Sequence, residues 1–408
     1  MKICLKTYAL MMVCIVGLVA NSAFCAVKKP WTVLVYIAGD NDLYQFVDLN
    51  LKQMMKIGSN DTVNILVYLC KRSGGKKIAQ KIIVNKNQLV TLAQDINIDS
   101  GIGKTVVDAC SWAYAEYPAD HVAFIGWDHG SGPLNRQPRG VCYDFSTGHY
   151  LTDVDLRNAF KLVTDTVLHK KIDIVGWDAC LMASAELHAT LEPYVDYVVS
   201  SQQTIPGPGW NYTRAFAPFS YSVTDPDYIA RAWVAAYKQT YQTLTNDYTL
   251  SAVCLADFKK FVVNIDTISE LLINLLASQN CLIVSAALTQ AIAARSCVSF
   301  DDGNYIDMDN FYANLLTSLA TMPIVGLEAQ KIAASLKNAL FEARLLLKNC
   351  VIANVVGKDA AGAAGISVYL PRNKRIHSSY YVLDWSIKHP GWLEFLRMFL
   401  LREHNCSH

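Results

Sequence analysis

Near-continuous apolar runs, separated by stretches with helical spacing, dominate the first half of the chain. Residues 31–38 of WTVLVYIAGDNDL form one such run and end in a polar turn. VNILVYLC at 63–70 forms a second, and YQFVDLNLKQMMKIG between them places apolar residues three and four apart, the pattern of one helix face. Residues 77–92 alternate loosely, which predicts a hairpin. KTVVDACSWAYAEYP reads as an amphipathic helix stopped by Pro118, HVAFIGWD as a third strand, DVDLRNAFKLVTDTVL as a helix and KIDIVGWD as a fourth strand. A helix is expected from about Cys180 to just before Pro193, followed by a fifth strand, DYVVSSQQ. Strands that are apolar throughout, rather than at every second position, belong to a sheet buried on both faces. The expected fold is therefore a mainly parallel sheet with helices on either side.

From about residue 225 the pattern changes. Helical stretches at 227–245, 257–279, 282–295, 308–321 and 326–348 dominate, with short strands near 250–256, 350–355 and 365–370. This divides the chain into an N-terminal segment at 1–26, an α/β domain at 27–220 and a helix-rich α/β region at 221–408 packed on it. The join is the Pro- and Gly-rich IPGPGWNYTRAFAPFS.

The first segment combines a basic start, MKICLK, an apolar run and the small residues NSAFCA, the pattern of a secretory signal peptide. It implies a secreted or periplasmic protein with no membrane contact after cleavage. The run is short for a membrane anchor, and bulky Phe24 argues against a lipid anchor at Cys25. With 36 basic and 35 acidic side chains and no basic block, the chain offers no electrostatic case for nucleic acid. Twelve cysteines, three of them in or beside the signal, leave nine in the mature chain, an odd number that leaves at least one thiol unpaired. Others could form disulfides; none shows zinc-ribbon or CxxC spacing.

Two strand ends carry the candidate chemistry. FIGWDHGSG at 124–132 and IVGWDACLMAS at 174–184 share Gly-Trp-Asp, then offer His129 and Cys180. In a parallel sheet, sites form beyond the carboxyl ends of neighbouring strands. An imidazole beside the thiol, and a helix starting at Cys180, would favour the thiolate. The N–H groups of Gly130 and Cys180 could stabilise an oxyanion. Together these residues describe acyl transfer through a thioester, with His129 as proton shuttle.

KKPWTVLVYIAGDNDL, GWDHGSG, RGVCYD, GWDACLMAS, SQQTIPGPGWNY and AGISVYLP, in that order, resemble the clostripain family of secreted cysteine endopeptidases, relatives of gingipains, legumains and caspases. The likeness runs from about residue 28 to about 400. It implies a caspase-like three-layer α/β/α sandwich, a His129–Cys180 dyad and Gly130 as the glycine after the histidine. It also implies protein or peptide substrates and Asp178 at the base of a pocket that prefers Arg or Lys at P1, with Thr204 fitting the same pattern. A carboxylate there would pair with a cationic side chain.

This chain departs from the family pattern at Pro208, where a second pocket aspartate is expected, and at Gln202 and Gln203, where glutamates are expected. The loop CYDFSTGHYLTD carries no Lys or Arg for self-cleavage; Arg136 and Arg139 precede it, and Lys170 and Lys171 follow. No cofactor is required by this chemistry. Calcium dependence, known in some relatives, finds no EF-hand spacing here, and Asp128, His129, Asp178 and Cys180 make a poor metal set. GIGKT at 101–105 lacks the first glycine of a phosphate-binding loop and reads as a helix start. Cys142 and Cys110 read as packed or paired residues, Trp127 and Trp177 as wall and core. The alternatives to a peptidase are a secreted binding protein that has lost turnover and a transpeptidase on the same fold.

Overall fold

The computed structural model describes residues 27–94, 96, 98–134, 141–373 and 375–402. The signal peptide, Arg136, Arg139 and Cys406 lie outside the described residues.

The elements run β1 (Lys29–Gly39), α1 (Tyr44–Ile57), β2 (Val63–Ser73), β3 (Lys76–Asn85), β4 (Gln88–Gln94), α2 (Gly103–Glu116), β5 (Ala119–Trp127), α3 (Asp153–Val163), β6 (Ile172–Asp178), α4 (Ala185–Leu191) and β7 (Val195–Ser200). After these come α5 (Tyr212–Ala215), α6 (Pro226–Tyr241), β8 (Thr249–Cys254), α7 (Leu255–Leu276), α8 (Cys281–Ala291), β9 (Ser299–Phe300), β10 (Tyr305–Asp307), α9 (Met308–Thr321) and α10 (Leu327–Cys350). The chain closes with β11 (Val351–Val356), β12 (Ser367–Tyr369), α11 (Asp384–Lys388) and α12 (Pro390–Arg402).

Nine strands form one sheet in the order β11-β8-β7-β6-β5-β1-β2-β3-β4. The five central strands, β7 to β2 in that order, are parallel; the flanking pairs β3–β4 and β8–β11 are antiparallel. The region after residue 221 thus supplies two strands of the same sheet. β9, β10 and β12 make a separate small antiparallel sheet.

The continuous apolar runs are explained by two cores. Leu34, Tyr36 and Ala38 of β1 face a cluster shared with α2, α3, α4 and α7, while Val33, Val35 and Ile37 face one shared with α1, α5 and α6. All six are buried, so neither face of the strand from Trp31 onward meets water. Helix ends follow local chemistry: Thr152 and Asp155 form a reciprocal capping box at α3, and Asp225 caps α6 ahead of Pro226.

The repeated Gly-Trp has a packing reason. Gly126 lies opposite Trp177 in the ladder, and a Cβ on Gly126 would sit 2.4 Å from the Trp177 ring. A Cβ on Gly176 would come within 2.9 Å of Trp210. Each glycine is the space that a neighbouring indole occupies.

Chain order reverses across β1: β2 lies on one side and β5 on the other. Loops leaving the carboxyl ends of β1 and β5 therefore diverge and open a crevice.

Candidate functional site

β5 and β6 are neighbours, with Trp127 opposite Asp178, and the Asp128 N–H donates to the Asp178 carbonyl at 3.2 Å. His129 and Cys180 thus leave adjacent strand ends, and both line one cavity of about 200 Å³. Leu43, Trp127, Asp128, Asp178, Ile205, Pro206, Gly207 and Gly209 complete its walls. Gly130 is required by contact: a Cβ there would lie 2.2 Å from the Cys180 carbonyl oxygen. The histidine loop rests directly on the cysteine backbone.

Cys180 is not at a helix start, contrary to the sequence expectation. α4 begins at Ala185, capped by the Ser184 hydroxyl, which accepts from the Leu187 N–H at 3.3 Å. The apolar Leu-Met-Ala that resembles a first helical turn is instead a tight turn in which Leu181 takes φ +64°, a left-handed conformation costing a branched residue about 1 kcal/mol or more. The Leu181 N–H donates to the Gln203 carbonyl at 3.3 Å and the Ala183 N–H to the Ser201 carbonyl at 2.9 Å. The thiol is thus presented by a turn pinned to the segment after β7, without a helix N-terminus.

The Cys180 sulfur accepts the Ile205 N–H at 3.1 Å. Burial pushes its pKa up, and the charges of Asp178 and Asp128 add to the rise, against the backbone amides of Ile205 and Gly130, which lower it. Burial and the two carboxylates favour the protonated thiol.

His129 Nε2 lies 2.7 Å from Asp42 Oδ1. Asp42 belongs to the polar turn after β1, whose neighbours are firmly held. Asp40 has no exposure and pairs with Arg72 Nε at 3.0 Å; Asn41 donates to Asp128 Oδ1 at 2.5 Å and to the Tyr143 carbonyl at 3.1 Å. Asp128 also accepts the Tyr143 N–H, and burial raises its pKa well above the ordinary value.

Asp178 accepts the Trp210 N–H at 3.0 Å and the Tyr212 hydroxyl at 2.9 Å, both on Oδ2. Burial raises its pKa to about 7, opposed by those two bonds. Thr204 is exposed and outside the cavity walls; its N–H donates to Gln203 Oε1 at 2.8 Å. Gln203 Nε2 reaches Asp247 at 2.9 Å. Gln202 is buried between Asp307, to which it donates at 3.0 Å, and the Gly365 N–H, which it accepts at 2.9 Å. Neither glutamine reaches the cavity, so their neutral side chains take no charge from it. Pro208 sits between wall residues Gly207 and Gly209, its carbonyl accepting from Asn50 Nδ2 at 3.0 Å.

The C-terminal half braces both loops. Tyr305 donates to the Ser131 carbonyl beyond His129 at 2.9 Å, and the Ser367 N–H donates to the Ala183 carbonyl beyond Cys180 at 2.9 Å. Trp127 lines the cavity, while Trp177 is core. Cys142 lies on no strand but at a left-handed position, φ +56°, fully buried. No disulfide joins any of the eight cysteines among the described residues. No group of three or more His, Cys, Asp or Glu among the described residues is placed to hold a metal ion, and no helix there is long and apolar enough to cross a membrane. Sequence reasoning missed Asp42, Leu43 and Ile205. The polar turn after β1 was the one available signal for the first two.

The chain is similar to known proteins. The signature of the clostripain family (Peptidase_C11) matches residues 35–396. Clostripain from Hathewaya histolytica is 24% identical over 220 residues, covering 45% of this chain and 41% of that enzyme, so the match spans less than half of its length. Among solved structures, a secreted C11 cysteine protease from Bacteroides thetaiotaomicron, in complex with an irreversible peptide inhibitor, superposes with a TM-score of 0.64 at 21% identity. It covers 90% of this chain and 99% of its own. An inactive zymogen C11 protease from Parabacteroides distasonis gives 0.64 at 18%, covering 89% and 99%. The likeness to both is one of fold, the caspase-like α/β/α sandwich.

Proposed function

The chain belongs to the clostripain family of cysteine-type peptidases, and from that premise we propose that it is an exported endopeptidase working through His129 and Cys180, with a preference for Arg or Lys at P1. The observation that carries this is the single cavity in which the histidine, the thiol and the carboxylate of Asp178 meet.

Cys180 starts as a thiol, so its proton must leave as the sulfur attacks. His129 takes that proton while Sγ bonds to the substrate carbonyl carbon. The carbonyl oxygen becomes an oxyanion, to which we assign the N–H groups of Gly130 and Cys180 as donors. Expulsion of the amine, protonated by His129, leaves a thioester; water, deprotonated by the same imidazole, releases the acid and restores the thiol. No step calls on a cofactor. The P1 side chain enters between Leu43, Ile205 and Gly209 toward Asp178. A cation arriving there favours the ionised carboxylate, compensating for the burial that raised its pKa. The substrates are proteins or peptides.

The test uses chain from residue 27 onward in reducing buffer, with fluorogenic peptides differing only at P1 (Arg, Lys, Asn, Asp, Ala, Leu). Cleavage after Arg or Lys that is lost in Cys180→Ala supports the whole reading. Cleavage after a neutral residue keeps the dyad and removes the P1 assignment. Folded protein without turnover and without labelling of Cys180 by an affinity probe supports the binding-protein alternative. Interception of the acyl-enzyme by added amine in place of water supports transpeptidation.

A further inference from the structure

We infer that Asp42 is a positioning residue for His129, so that the centre operates as Cys180–His129–Asp42. The inference rests on the peptidase reading above.

An imidazole with both nitrogens unconstrained can rotate and exchange tautomers, and either change removes the base from the thiol. A partner on one nitrogen fixes the ring and decides which nitrogen is free. Here Nε2 is taken by Asp42 Oδ1 at 2.7 Å, which leaves Nδ1 for Cys180. A carboxylate in this place also favours the imidazolium that forms as the thiol is deprotonated.

The obvious objection is exposure. The Asp42 side chain is 69% accessible and that of His129 26%, and exposed ion pairs are weak, partly because two mobile side chains must be ordered. In this turn the ordering is built into the neighbours. Asp40, fully buried, is clamped by Arg72 at 3.0 Å and by the Ser146 N–H at 3.2 Å. Asn41 is 1% exposed; besides Asp128 and Tyr143 it donates to the Ala38 carbonyl at 2.9 Å. Its Oδ1 accepts the Leu43 N–H at 3.0 Å, closing a turn around Asp42 itself. The residues before and after Asp42 are therefore fixed, and a short side chain with few rotamers spans the remaining gap. Asn41 also holds Asp128, the residue preceding His129. Both ends of the Asp42–His129 contact thus hang on one anchor.

The experiment compares wild type with Asp42→Ala and Asp42→Asn, on the best P1 substrate and on a matched neutral-P1 peptide. Asp42→Ala should lower kcat about 10- to 100-fold, with KM within about twofold and the melting temperature unchanged. The solvent around Asp42 keeps this below the loss seen for buried orienting carboxylates. Asp42→Asn should recover part of kcat, because its amide oxygen still accepts the Nε2–H without supplying charge. A kcat within twofold of wild type in Asp42→Ala overturns the inference. So does a rise in KM confined to the cationic substrate with kcat unchanged, which would assign Asp42 to the P1 pocket beside Leu43. Wild type that neither turns over nor labels at Cys180 overturns the peptidase reading, and the inference falls with it.

Discussion

At the end of β5 the indole N–H of Trp127 donates to Asn50 at 2.8 Å, and the following aspartate is held by Asn41 and Tyr143. At the end of β6 the same three letters give a tryptophan whose N–H has no partner among the described residues and an aspartate held by Trp210 and Tyr212. The ladder is offset by one residue, Gly126 opposite Trp177 and Trp127 opposite Asp178. Side chains paired across a ladder share a face, so the offset sends Trp127 to one core and Trp177 to the other. Asp178 therefore shares the Trp127 face, where the pocket opens. Identical words on adjacent strands acquire different meanings from register alone.

The comparison can be broken most severely at its chemical ends. Cys180→Ala and His129→Ala should each lower kcat/KM by at least about a thousandfold, with Tm within a few degrees of wild type; a residual rate above a tenth would remove the assigned roles. Gly130→Ala comes next. Its Cβ would press on the Cys180 backbone, and the expected loss is about a hundredfold in kcat, read beside circular dichroism that stays native.

The two aspartates separate by substrate. Asp178→Asn should cost about 10- to 100-fold in kcat/KM for Arg or Lys at P1 and little for Ala. Burial holds the empty-pocket carboxyl near 7, so below that pH it is protonated. Wild-type preference for a P1 cation should then decline as pH falls through about 7, and the Asp178→Asn variant should show no such limb. A profile flat from pH 6 to 8 would detach the preference from Asp178.

The smallest effect sharpens the comparison between the tryptophans. Trp127→Phe strands the buried Asn50 oxygen, whereas Trp177→Phe deletes a group that has no partner among the described residues. Urea unfolding should find the first costlier by about 1 kcal/mol; equal losses would mean that the Asn50 bond contributes nothing net.

The layered fold was legible because β1, β2, β5, β6 and β7 carry near-continuous apolar runs, a signature that survives without knowledge of neighbours. Adjacency of β5 and β6 was only a condition, since pairing is decided between residues some fifty apart. The helix expected at Cys180 failed for a local reason: Leu-Met-Ala has helical propensity, but Ser184 caps α4 and Leu181 turns left-handed. Tertiary bonds to Gln203 and Ser201 override propensity there. Asp42 was hidden because its bond to His129 crosses 87 residues. Ile205 acts through its backbone N–H, which every residue but proline possesses, so its identity carried no signal. Gln202 and Gln203 looked like lost pocket charge; their actual partners, Asp307 and Asp247, come from the C-terminal half.

The empty volume above Gly126 is filled by an indole from the adjacent strand, so positions 126 and 177 behave as one two-letter lock. A methyl group can enter at 126 only as the ring at 177 shrinks, and either change alone leaves a clash or a hole. Drift at one position is thereby conditional on the other, and an engineer reshaping this sheet would have to exchange the pair in one step.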